Sequence, residues 1–522
     1  MQGTSSHVGQ WLIIFLLHIA NGIPRRGNEP WSLILCKFAD LHDYQPKPRE
    51  WFENWIHGED EDSIVNYFAR VSNGVYTLYG SNVFGWYTLP YSQKDILSLA
   101  NSDASAPLGS DSSFKYFDKI KELCVQFALE NGAILHRQKI TVINGGTTAV
   151  YGKENGVLLT PSLMFSSVLT HEMVHSFFIG HSYSDRKIRI FPYAMSGEYD
   201  DRYDLMSTAN AYMHRSPYGM SGPGLNGAHL DFLGWLPMDR ILYFGRDGRQ
   251  NYTLRLSSLS IAHKNTRGWL LVFIPFDRAD GSNYYTIELR TPHNYDRGIS
   301  QNAVLIHRVQ RSGENYYSVL LSQSRAFYEL TEDTEWVTFL EPSNAGRFQI
   351  IRVTVRRMFS HDADITISST FDPVICRIGE IPKMVIESRF GIGYVCLDKN
   401  RPVLANDVQM QQKRKDFYKM RTTFGANSCK PGYVWRGLDA YDYVCVEVHR
   451  RQLAHAQTMG RRFHSSENST ECQNGLVERN AFIGDLVCVT PSEQYMTSRD
   501  NMDSMHHLEH FEFFNGVDTV GP

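Results

Sequence analysis

Residues 171–181 read His-Glu-Met-Val-His-Ser-Phe-Phe-Ile-Gly-His. His171 and His175 are four apart, so a helix places both imidazoles on one face, one turn apart, within reach of one ion. Apolar Val168, Leu169, Met173, Val174 and Phe177 support that helix, which the sequence starts just after Thr160-Pro161. Glu172 stands beside the first ligand, where its carboxylate can accept a proton from an attacking water and later deliver it to the leaving amine. A zinc ion lowers the pKa of such a water to about 7 and polarises the scissile carbonyl. His181 falls six residues after His175, the third position of the extended motif His-Glu-x-x-His-x-x-Gly-x-x-His. Three neutral nitrogens with an open fourth position describe a catalytic zinc site, not a closed structural one. The competing interpretation is a buried helix carrying satisfied histidines.

Tyr203-Asp204-Leu205-Met206-Ser207 follows, with Met206 25 residues after His181. The long zinc motif followed by this Asp-Leu-Met-Ser turn resembles the metzincin clan of metallopeptidases. The resemblance implies that Met206 lies beneath the metal as an apolar floor. It extends beyond the motif, through Trp31 to Asp40, Ser63 to Gly74, Gly85 to Pro90, Asn226 to Trp235 and Tyr284 to Val309. These stretches are similar to secreted gametolysin-like and immune inhibitor A-like peptidases, over roughly residues 30–370. Two positions depart from the pattern. Phe178 occupies the motif's Gly position, so the turn towards His181 is expected two residues later, at Gly180. Asp185 is the reserve ligand if His181 is misplaced. Thr208, two after Met206, stands where some clan members carry a tyrosine that reaches the metal or the oxyanion.

Other polar residues fit blander roles. His229 reads as a helix histidine satisfied by a local partner. Glu198, Asp200, Asp201 and Asp204 offer oxygens for Ca2+, but a solvated acidic loop is the commoner meaning of such a run, and Ca2+ stays an unsupported option.

The elements that must position the motif lie on either side. Leu33 to Phe38 reads as a buried strand, Asp62 to Val71 as a short helix and Val75 to Leu78 as a strand. Phe114, Phe117, Ile120, Cys124 and Phe127 recur at helical spacing, with Asn131-Gly132 as the stop. The fold class expected is multidomain: an α+β metzincin-like catalytic domain over 23–240, a β-sandwich over 241–370, three Cys-paired repeats over 371–490 and a flexible tail over 491–522. The sandwich rests on alternating strands such as Tyr252 to Leu256, Tyr284 to Arg290, Glu335 to Phe339 and Arg347 to Val355. The repeats rest on Cys-x-x-Gly at Cys376, Cys429 and Cys472, each followed by a second cysteine after an apolar pair, at Cys396, Cys445 and Cys488. Each pair staples a module too small for a core of its own. Cys36 and Cys124 lie in apolar elements and pair as a fourth disulfide if they meet; two buried free thiols are the alternative.

Residues 11–20 form an apolar run too short to span a bilayer but suited to a signal-peptide core, so residues 1–22 read as a leader and the chain as secreted, with no membrane span. That setting makes Asn251 and Asn468 candidate glycosylation acceptors. The 522 residues carry 52 basic and 56 acidic side chains, net −4, which leaves no basic excess for nucleic acid. An apolar fraction of 42% excludes a largely disordered chain. The function expected is a secreted zinc endopeptidase with one catalytic Zn2+ acting on protein or peptide substrates. Its C-terminal repeats would meet extracellular matrix or cell-surface ligands. Two alternatives stand beside it: an inactive peptidase-like binding or adhesion protein, and a zinc hydrolase of a non-peptide amide.

Overall fold

The computed structural model describes residues 24–102, 112–370 and 425–508, short internal stretches aside, together with the strands Glu380–Glu387 and Gly391–Asp398. The expected leader, Asn468 and the pairing of Cys376 with Cys396 fall outside the described residues. The architecture is mixed, with α-helices and several β-sheets.

A five-stranded sheet forms the N-terminal platform. Its spatial order is Asn82–Thr88, Trp31–Lys37, Gln138–Ile143, Gly156–Leu159 and Val150–Gly152; the first four run parallel and the edge strand antiparallel. Trp31–Lys37 is buried at six successive residues, as a parallel strand covered on both faces must be. Alternation sorts its side chains. Leu33 and Leu35 join the core that holds Val168, Met173 and Val174, while Ile34 and Cys36 face Ile120, Cys124 and Ala128 of the helix Ser112–Glu130. Cys36 and Cys124 therefore meet, but as buried free thiols, not the expected disulfide. Apolar strand-on-helix packing sets the sulfurs in hydrogen-bond contact, and burial first, then Cys36, pushes the Cys124 thiol well up.

The motif helix spans Ser166–His175, and Glu172 is its one residue that is not buried. It starts later than the sequence suggests, because a 3-10 turn over Pro161–Leu163 intervenes. Trp55 Nε1 donates to Ser166 Oγ at 2.8 Å and pins the first turn.

The two sheets of the sandwich enclose a core that includes Leu256, Ile287, Ile306, Val353 and Ile365. One sheet runs Asn251–Ser257, Asp362–Ser369, Gln349–Met358, Glu335–Leu340. The other runs Ile241–Tyr243, Leu271–Pro275, Tyr284–Arg290, Ala303–Ser312, Asn315–Leu320 and, from the N-terminal unit, Tyr183–Ser184. The boundary expected at 240 is thus crossed: two residues just past His181 pair in parallel with Val319 and Leu320. All seven residues of Tyr284–Arg290 are buried, since one face meets the sandwich core and the other the N-terminal unit.

Two C-terminal repeats carry the disulfides Cys429–Cys445 and Cys472–Cys488. In each, an arginine seven residues after the first cysteine grips an aspartate three before the second. Arg436 with Asp442 and Arg479 with Asp485 both make bidentate pairs at 2.8–2.9 Å. The repeat of Cys429 and Cys445, too small for a core of its own, shares one with the N-terminal unit. Trp435, Tyr443 and Cys445 join the N-terminal core, and Tyr443 Oη donates to Leu236 O at 2.7 Å. The tail is also structured where it is described: Pro491–Asp503 is a helix that Thr490 and Glu493 start with reciprocal capping bonds. Among the described residues no helix is long and apolar enough to cross a membrane.

Candidate metal centre

Three histidines converge. His171, His175 and His181 each offer a ring nitrogen, all within 4.8 Å of one another, and they are the group among the described residues able to hold a metal. The helix supplies the first two, with Nε2 atoms 3.1 Å apart. His171 Nδ1 donates to Leu205 O at 3.1 Å and His175 Nδ1 to Ile179 O at 2.8 Å. A carbonyl oxygen can only accept, so each Nδ1 carries the proton and each Nε2 a lone pair. His181 Nδ1 lies 2.6 Å from Glu198 Oε1, which fixes the same tautomer. Burial, then the neighbouring histidines, pushes His171 down to about 3 and His175 well down, so protonation does not relieve the two facing lone pairs at neutral pH. A cation does. The donor set fits zinc: three neutral nitrogens, each oriented from behind by an acceptor.

Phe178, in the motif's Gly position, has φ +63, while Gly180 is not left-handed. The turn towards His181 therefore forms at the motif's own position, not two residues later. An L-residue there costs about 1–2 kcal/mol, and the hydrogen bond from Phe178 N to His175 O at 3.1 Å helps hold it. Asp185 is no reserve ligand: its carboxylate accepts from Ser322 N and Oγ at 3.0 Å.

Met206 is fully buried in the 3-10 turn Leu205–Ser207, whose first carbonyl takes His171. Asp204 clamps that turn to the segment that carries His181. Its Oδ1 accepts from Met206 N at 3.0 Å and its Oδ2 from Ser182 Oγ at 2.8 Å, while His229 Nδ1 approaches Oδ2 at 2.6 Å. Burial, the largest influence, would raise Asp204, but its contacts with His229, Met206 N and Ser182 together outweigh it and hold the carboxyl below its ordinary value. His229 thus has the local partner expected of it.

The acidic run is neither solvated nor gathered for Ca2+. Glu198, Asp200, Asp201 and Asp204 are buried, and each has partners of its own. Asp200 accepts from Ser184 Oγ and Tyr328 Oη, both at 2.6 Å, and Asp201 Oδ2 faces His307 Nε2 at 3.0 Å.

Two site residues escape a reading by motif. Glu198 supports the third ligand, and Tyr199 Oη lies 3.0 Å from His181 Nε2. Only the isolated bridge between Tyr183 and Glu198 brings them in, and nothing in their spacing marks it. Burial first, then Glu198, and to a smaller extent Tyr193 and Glu172, pushes the Tyr199 phenol up. No protein-family model matches the chain, and neither a curated protein nor a solved structure matches it.

Proposed function

We propose that this chain is a secreted zinc-dependent endopeptidase. One observation carries the reading: three Nε2 lone pairs converge while each Nδ1 is committed to an acceptor behind it. A zinc ion held there supplies Lewis acidity to polarise a peptide carbonyl and acidify a water. The chain's own residues do the rest. Glu172 follows the first ligand and is the helix's one residue that is not buried, so its carboxylate serves as base for the attacking water. The same carboxyl, once protonated, delivers that proton to the leaving amine. Leu205 O, Ile179 O and Glu198 each accept from the Nδ1 of one imidazole, and Met206 is buried in the turn whose Leu205 carbonyl holds His171. The left-handed Phe178 turns the chain towards His181 at the motif's own position, which supports an intact third ligand. Paired cysteines in the C-terminal repeats support an extracellular setting. Matrix or cell-surface polymers are the partners proposed for those repeats.

The test is Glu172→Gln in the full chain. The variant should hold about one zinc per chain, as wild type does, and lose peptide cleavage by a factor of at least about 10³, the upper part of the range for general acid–base catalysis. Cleavage retained in the variant, or a wild type that retains no zinc after dialysis, sinks the reading.

A further inference from the structure

Tyr199 is the polar group at the centre that the ligand set leaves unexplained. Its Oη lies 3.0 Å from His181 Nε2, and its ring centroid lies 4.1 Å from that imidazole. Because His181 Nδ1 already donates to Glu198, Nε2 can only accept, and the phenol donates. Backbone hydrogen bonds place the residue there. Tyr199 N donates to Ser182 O at 2.9 Å, and Ser184 N donates to Gly197 O at 2.9 Å. Tyr199 itself has φ +61, a conformation that an L-residue keeps only where its surroundings over-determine it. The residue is buried, and its hydroxyl lies within hydrogen-bond distance of the ligand cluster. When a cation takes the Nε2 lone pair, the O–H loses its acceptor but not its position. What remains is a preorganised donor at the edge of the centre, which is what a developing negative oxygen needs.

We propose that Tyr199 is a catalytic residue whose O–H donates a hydrogen bond to the oxyanion formed when the scissile carbonyl is attacked. The role rests on the peptidase reading above. The water oxygen forms the new C–O bond, its proton goes to Glu172, and the carbonyl π pair moves onto the oxygen facing Tyr199. Tyr199 keeps its proton throughout. On collapse the C=O bond re-forms, the C–N bond breaks and the amine takes the proton from Glu172.

Tyr199→Phe in the full chain tests this. The expected result is a fall in kcat of about 10²–10³ with KM changed little, the signature of a lost oxyanion donor. Zinc content should stay at about one per chain. Affinity for a phosphinic peptide, whose anionic tetrahedral centre imitates the oxyanion, should fall by a similar factor, about 10² or more. A further readout is independent of turnover. Zinc titrated into metal-free wild type should give a tyrosine ultraviolet difference signal as the O–H leaves Nε2, and the variant should lack it. An unchanged kcat and phosphinic affinity in a variant whose wild type cleaves peptides overturns the role of Tyr199 alone. Loss of zinc from the variant makes Tyr199 a structural support and also overturns it. A zinc-loaded wild type that cleaves no peptide overturns the peptidase reading and this role together.

Discussion

Phe178 holds a backbone conformation in which glycine would carry no Cβ penalty, yet its ring packs against the main core. Two effects of similar size therefore oppose each other: about 1–2 kcal/mol of left-handed strain against part of the roughly 1.5–3 kcal/mol of a buried aromatic side chain. Phe178→Gly should change stability by no more than about 1 kcal/mol and keep zinc affinity within about threefold, because the turn survives. Phe178→Val keeps the strain, adds a β-branch where φ is positive and loses most of the ring. It should cost about 2 kcal/mol or more and weaken zinc. Thermal melts and zinc titration of both variants check this; equal behaviour of Gly and Val would show that the turn does not form at Phe178. The sequence marks this residue as a departure from the motif but not its outcome. A single Gly-to-Phe change does not say whether the backbone moves or the strain is tolerated, because the surrounding contacts decide.

Elements with strong periodicity are legible in advance. The strand at Trp31–Lys37 follows from a continuous apolar run, and the helix Ser112–Glu130 and the motif helix from apolar spacing of three and four. The two-residue strand Tyr183–Ser184 is not legible, since so short a strand has no period. The Arg–Asp pairs of the repeats occupy equivalent offsets from their cysteines, but only the structure shows that they touch. Burial alone would raise Asp442, yet the Arg436 guanidinium outweighs it and holds the carboxyl below its ordinary value. A carboxyl with a folded pKa below its unfolded value, about 3.9, contributes stability that is fully present above that value. The contribution is lost as pH falls towards the folded pKa. The repeat carrying Cys429 and Cys445 should therefore loosen below about pH 4, read as faster amide exchange in the strand Tyr433–Trp435. Asp442→Asn leaves Arg436 buried without its charge partner, which should cost about 3–5 kcal/mol at pH 7 and abolish this pair's share of the acid response. An unchanged acid profile in that variant would assign the response to other groups.

At the scale of the whole molecule, the sandwich is part of the candidate metal centre's foundation. The segment from Ser182 to Asp204 links the third ligand, its Glu198 support and the Met206 turn, and much of its anchorage lies beyond residue 240. Asp185 N donates to Leu320 O at 3.0 Å, Tyr203 Oη to Glu329 at 2.7 Å and Tyr328 Oη to Asp200 at 2.6 Å. His307, fully buried, lies between Asp201 and Glu288, at 3.0 and 3.7 Å. Burial opposes its charge, but those two carboxylates outweigh it and raise the imidazole above its ordinary value. Asp201 N in turn donates to Ser207 Oγ at 3.2 Å, inside the turn that carries Met206. Removing the sandwich would leave Asp200 and Asp201 buried with fewer partners or push them into water, and either moves the segment that holds His181. A chain ended at residue 240 should therefore bind zinc at least about 10–100-fold more weakly than the full chain, the loss typical when groups behind metal ligands are removed. Zinc retained after dialysis, measured alongside circular dichroism of the fragment, checks this. A folded fragment that keeps one zinc with full affinity would show that the platform and motif helix suffice to hold the third ligand in place.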